Sequence, residues 1–147
     1  MIALDTNILL RRARTSDPLF AAAAAATKAL HARGETLCIF PQQIYEFWAT
    51  ATRPITANGL GMTIAEAEAR IAVQKRAFLL LPDSSDLLSE WESVVVIHSC
   101  HGRISYDARI VAAMNTHGIR EILTFNAADF RRFPHITVID PHSFAGS

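Results

Sequence analysis

The sequence predicts an α/β fold, a mostly parallel five-stranded sheet covered on both faces by helices. Two observations point there. Short apolar runs alternate with longer helical patterns along the chain. Those runs are apolar at successive positions, as strands buried on both faces are. A third observation bounds the size. The 147 residues, half of them hydrophobic and 19% charged, suit one domain over 1–147 that buries roughly 70% of its unfolded surface.

Each element has its own reason. Met1-Ile2-Ala3-Leu4 reads as a short buried strand that stops at Asp5-Thr6-Asn7. Pro18 to Arg33 reads as a helix, because its alanines have the highest helix propensity and Gly34 stands where a helix C-terminus takes glycine. Thr36 to Phe40 is β-branched and apolar, hence a strand. Pro41 opens a helix to about Arg53, as a first-turn proline does. Residues 54–62 carry proline, asparagine and two glycines and read as a loop. Thr63 with Glu66 is a capping box, so a helix runs to about Arg76. Phe78 to Leu81 is the third strand, Ser84 to Ser99 a helix and His101-Gly102-Arg103 a turn. Ser105 to His117 is a helix closed by Gly118; it is apolar almost all round, which predicts burial between layers. Glu121 to Phe125 and Ile136 to Ile139 complete the strands.

Composition excludes several classes. Fourteen basic residues balance fourteen acidic ones, so bulk positive charge does not hold nucleic acid and any such contact needs a local patch. Cys38 and Cys100 form no CxxC pair, and the six histidines show no zinc spacing. Cys38, inside a strand, reads as an inert buried thiol. No GxxxxGK[ST] is present, which removes a P-loop enzyme. The Leu19–Ala26 apolar tract is far shorter than the roughly 20 residues of a membrane span, and the first residues lack a basic leader. The expectation is a soluble, cytoplasmic protein without membrane contact.

In parallel sheets a site forms outside the carboxyl ends of the strands, and four acids belong near that rim. Asp5 follows the first strand and Asp129 the fourth. Glu46 lies about one turn into its helix, off the apolar Ile44-Phe47-Trp48-Ala51 face and on a side with Gln42, Thr50 and Arg53. Asp107 opens its own helix. Each has an ordinary explanation alone: an N-cap for Asp5, a solvated glutamate, a dipole-favoured first-turn aspartate, turn chemistry for Asp129. Together they would repel, and a hard divalent cation relieves the repulsion. Oxygen-only ligands suit Mg²⁺ or Mn²⁺ better than zinc. The implied chemistry is hydrolysis of a phosphodiester by metal-activated water.

Three blocks carry a family resemblance: Leu4-Asp5-Thr6-Asn7-Ile8-Leu9-Leu10, Tyr106 to Met114, and Ile122 to Phe130, with Glu46 between the first two. The chain resembles the PIN-domain ribonucleases, most closely the VapC-type toxins of bacterial toxin–antitoxin pairs. The resemblance runs from residue 1 to about 140. It implies a three-layer α/β/α sandwich with strand order 3-2-1-4-5. It implies a catalytic quartet of Asp5, Glu46, Asp107 and Asp129, with Asp5 and Asp107 holding Mg²⁺ most directly, or Mn²⁺ in its place. Many relatives carry an aspartate where this chain has Asn126, so one charge is absent here. The implied partners are an antitoxin that blocks the acidic pocket, a second copy in a homodimer, and an RNA such as tRNA or rRNA.

Asn7, Thr124 and Asn126 are candidates to hydrogen-bond the acids or phosphate. Arg11, with Arg12 and Arg14, follows Asp5, and Arg131, with Arg132, follows Asp129; both clusters are candidates for RNA phosphate, with Arg53, Arg103 and Arg109 as additions to the rim. Residues 77–101 hold four acids and no lysine or arginine and should face away from RNA. Tyr106 either stacks on a base or packs, and His101 is the one histidine near the site loop. A haloacid-dehalogenase-type phosphohydrolase also begins strand-then-Asp, but it needs an acid where this chain has Asn7. The other alternative is a catalytically silent PIN domain that binds RNA or a protein partner.

Overall fold

The computed structural model describes residues 1–144. The expected single domain over 1–147 includes three residues outside that range. Five strands, β1 (Ile2–Leu4), β2 (Leu37–Ile39), β3 (Leu79–Leu80), β4 (Glu121–Leu123) and β5 (Thr137–Ile139), form one sheet in the order β3-β2-β1-β4-β5. Every pairing is parallel. The helices are α1 (Thr6–Arg11), α2 (Phe20–Ala32), α3 (Pro41–Thr52), α4 (Ile64–Ala77), α5 (Leu87–Ile97), α6 (Ile104–Thr116) and α7 (Ala127–Phe130).

Strand side chains alternate between two cores. Ile2, Leu4, Leu37, Ile39 and Leu123 pack with α1, α2, α3 and α4 through Ile8, Leu30, Phe47 and Ala67. Ala3, Cys38 and Ile122 pack on the other face with α5 and α6 through Leu87, Val94 and the run Ile110–Met114. These are the two outer layers of a three-layer sandwich. The Cys38 thiol is fully buried, and burial pushes its pKa up to about 11, so it is inert.

The capping box forms as read: the Thr63 hydroxyl accepts from the Glu66 N–H at 3.1 Å, and the Glu66 carboxylate accepts from the Thr63 N–H at 2.8 Å. Gly34 and Gly118 adopt φ of +82° and +69°, the left-handed turn that ends α2 and α6 without a Cβ clash. Buried Gln43 pins the start of α3 to the site. Its amide donates to the Leu4 carbonyl at 3.0 Å and its Oε1 accepts from the Phe40 N–H at 3.2 Å.

Four short elements depart from the expectation. The stretch after Asp5, assigned no element from the sequence, is a helix, α1, because Ile8 and Leu9 bury against the sheet. Asn126 is followed by the single turn α7, anchored by Phe130. The loop 54–62 contains a 3-10 turn at Ile55–Ala57. The third strand shrinks to two exposed residues, since Phe78 ends α4 and turns into the core. Among the described residues, no helix is long and apolar enough to cross a membrane.

Candidate active site

The chain winds from β1 outward to β2 and β3, then returns to β4 on the other side of β1. The crevice at that reversal lies outside the carboxyl ends of β1 and β4. Leu4 pairs with Leu123, so Asp5 and Thr124 are the matching first residues beyond the two strands. The Asp5 N–H extends the ladder to the Leu123 carbonyl at 3.0 Å.

Asp5 stands at the N-cap of α1 but makes no side-chain capping bond. Its carboxylate accepts instead from the Thr124 hydroxyl at 2.5 Å and from the Asn7 amide at 2.8 Å, both on Oδ2. The Thr124 oxygen accepts in turn from the Asn7 amide at 3.1 Å and the Asn126 N–H at 3.0 Å. One donated bond and two accepted ones exhaust a hydroxyl. Thr124 has no exposed surface, so it holds Asp5 and does not reach a phosphate.

Glu46 is half-buried on α3. Its two oxygens are held apart, one by the Thr6 hydroxyl at 2.6 Å and the other by the Gln42 amide at 2.7 Å. Buried Gln42 also donates to the Tyr106 carbonyl at 2.9 Å and accepts from Arg109 at 3.0 Å. Arg109 ends on Asp83 at 2.8 Å. This chain of polar contacts ties α3 to α6 across the crevice. Thr6 was not recognisable from sequence, and Gln42 showed only as a neighbour of Glu46 one turn away.

Asp107 projects from the first turn of α6, and Asp129 from α7. Asp5 and Asp107 sense the acids around them. Burial, the largest cause, pushes Asp107 up to about 7, and repulsion from Asp129, Asp5 and Glu46 adds to it, against Arg103. Burial likewise pushes Asp5 up to about 6, with Glu46 adding; the Thr124 hydroxyl and the backbone N–H groups of Thr6 and Asn7 hold it back. Among the described residues no ion pair involves any of the four. Groups whose ionisation is opposed by burial and by like charge are what a bound cation stabilises.

All four acids line one cleft of ≈ 930 Å³, together with Asn7, Gln42, Arg53, Arg103 and Asn126. No histidine, His101 included, lines it. Neither Arg11 nor Arg131 is part of its wall. Closeness in sequence does not mean closeness in direction here: Asn7 and Leu10 share the cleft face of α1, whereas Arg11 is turned to Asp17 at 3.1 Å. Arg12 lies over the Phe78 ring at 5.0 Å, and Arg14 donates to the Leu60 carbonyl.

A family model described as PIN domain matches residues 2–136. The chain belongs to the PIN-domain family. All four acids fall inside the matched span. No curated protein sequence matches the chain significantly. Among solved structures, VapBC2 from Rickettsia felis, bound to a DNA fragment from its promoter, is 14% identical with a TM-score of 0.72, over 95% of this chain and 98% of that one. The sarcin–ricin loop-cleaving toxin VapC20 from Mycobacterium tuberculosis is 18% identical with a TM-score of 0.66, over 90% and 95%. A toxin–antitoxin complex from Klebsiella pneumoniae is 23% identical with a TM-score of 0.61, over 96% and 98%. At these identities the likeness establishes the PIN fold.

The site's residues fit a hard divalent ion. Among the described residues, no three His, Cys, Asp or Glu side chains converge closely enough to cage a metal. Mg²⁺ does not need such a cage, since it commonly takes one or two carboxylates and fills its shell with water and substrate phosphate. Asp5 and Asp107 both line the cleft with oxygen donors, and among the described residues neither is paired with a base.

Proposed function

We propose that this PIN domain is a Mg²⁺-dependent endoribonuclease, with Mn²⁺ able to substitute, and that it serves as a VapC-type toxin neutralised by a cognate antitoxin. The observation that carries the reading is the gathering of Asp5, Glu46, Asp107 and Asp129, from four separate segments, on one cleft with no paired base among the described residues. Asp5 and Asp107 would hold the ion. Such an ion lowers the pKa of a water and neutralises a phosphodiester oxygen. Thr124 and Asn7 fix the Asp5 carboxylate, and Thr6 and Gln42 fix that of Glu46. Glu46 and Asp129 would complete the pocket and help orient the attacking water. Asn126, which lines the cleft, would donate to phosphate.

The fold likeness to a loop-cleaving toxin and to a toxin–antitoxin complex supports RNA as substrate and a protein inhibitor as partner. A homodimer and a cytoplasmic site of action belong to the same reading. The test incubates purified, antitoxin-free protein with total RNA in Mg²⁺ or Mn²⁺, then in EDTA, beside the Asp5→Asn, Asp107→Asn double variant. Discrete fragments that need metal and vanish in the variant are expected. Absence of cleavage, together with no metal-induced rise in melting temperature, would make the domain a silent binder.

A further inference from the structure

We infer that Tyr45 and Tyr106 are base-stacking residues, which with Arg53 and Arg103 make the cleft a receptor for unpaired nucleotides flanking the acids. The inference deepens the nuclease reading and rests on it. The sequence holds eight phenylalanines, two tryptophans and two tyrosines. None of the phenylalanines or tryptophans is exposed. Both tyrosines are, at 66% and 64%, and both line the acid cleft. Among the described residues neither ring has an aromatic or cationic partner, and neither hydroxyl a hydrogen bond. A fold that buries or half-buries every other aromatic leaves out only the two beside its acids.

Each tyrosine is the immediate neighbour of an acid in the chain, Tyr45 of Glu46 and Tyr106 of Asp107. They rise from the two helices that Gln42 ties together, α3 and α6. On α3 the cleft continues past Tyr45 along Ala49, Thr50 and Arg53. This strip extends about 12 Å at the helical rise of ~1.5 Å per residue, enough for a nucleotide or two. Ala49, one turn beyond Tyr45, leaves room for a flat base. Among the described residues the Arg53 guanidinium donates only to the Thr50 hydroxyl, at 3.1 Å, and keeps its charge for a phosphate. Arg103 lies one turn before Tyr106 on the other wall, with no ion pair among the described residues.

An aromatic ring stacks on any base whose face is free, and in a duplex both faces are already stacked. The receptor therefore selects single-stranded RNA, and the acids cut between nucleotides that the tyrosines hold open.

The test uses the full chain carrying Asp107→Asn, so that RNA is bound and not cut. Short single-stranded RNAs carry 2-aminopurine at successive positions. Fluorescence should be quenched at particular positions near the bound site. Tyr45→Ala and Tyr106→Ala should each abolish quenching at one of them and weaken binding about tenfold. Tyr→Phe at either position should retain both properties, and the same sequence as a duplex should neither quench nor compete. In the otherwise wild-type enzyme, Tyr45→Ala should raise KM about tenfold with kcat nearly unchanged. Alanine variants that bind, quench and cleave like their parent overturn this inference and leave the nuclease standing. No RNA binding by the parent overturns both. Position-specific quenching in a wild-type chain that cuts nothing upholds the stacking residues and removes the nuclease.

Discussion

Replacing Asp5 by asparagine should stabilise the metal-free protein while abolishing its activity. Asp5 is buried, and burial holds its pKa near 6 rather than at 3.8. An acid with a raised folded pKa favours folding fully only below its unfolded pKa, and that contribution is lost as pH rises through the folded value. The gap from 3.8 to about 6, at about 1.4 kcal/mol per pH unit, corresponds to ~3 kcal/mol of net penalty on the charged form at pH 8, burial outweighing the hydrogen bonds that oppose it. Asparagine removes the charge and keeps one oxygen for the Thr124 hydroxyl and the Asn7 amide, which both use Oδ2. The Thr124 bond is already counted in that pKa; the Asn7 amide bond changes from charge-assisted to neutral, which costs about 1 kcal/mol. The net expectation is a gain of about 2 kcal/mol at pH 8, fading by pH 4 where Asp5 is protonated in the folded protein. Urea unfolding in EDTA at the two pH values measures it. A variant less stable than wild type by the same amount at both would show that burial of the Asp5 charge carries no such penalty.

Three further outcomes follow from the same contacts. Thr124→Val removes the hydroxyl that holds Asp5 down, so it should destabilise by about 1–3 kcal/mol and move the acid limb of the pH–rate profile upward. Gln42→Leu unties Glu46, the Tyr106 carbonyl and Arg109 together; cleavage should fall about tenfold or more with RNA affinity little changed, as single-turnover kinetics would show. The Gln74 Oε1 is buried with no hydrogen-bond partner among the described residues; Gln74→Met should raise stability by about 1 kcal/mol in urea unfolding without altering cleavage.

The sheet was legible because its strands are short continuous apolar runs, and the long helices because punctuation marks them: Pro41 at a helix start, the Thr63–Glu66 box, Gly34 and Gly118 at helix ends. α1 and α7 were not, since six and four residues are too few to display a 3.6-residue period. The acids could be found because carboxylates directly after apolar runs are costly without a partner. Thr124, a hydroxyl just past the fourth strand, was legible as a partner of the acids, and it donates to Asp5 at 2.5 Å; Thr6 was not, because a threonine behind an acid looks like any β-branched residue until the fold brings it within 2.6 Å of Glu46. The arginines show the opposite failure. Arg11 and Arg131 are close to acids in the chain but off the cleft wall, whereas Arg53, Arg103 and Arg109, read only as additions to the rim, line it, because nearness along the chain does not set the direction of a side chain on a helix that turns 100° per residue.

The most direct test of the account is Mn²⁺ uptake at pH 8, followed by the loss of the free-ion signal in electron paramagnetic resonance. Wild-type protein should remove the signal in proportion to its concentration, and excess Mg²⁺ should restore it. The Asp5→Asn, Asp107→Asn protein should leave the signal untouched. Equal uptake by both proteins, or none by wild type, would contradict a divalent-ion site built on Asp5 and Asp107.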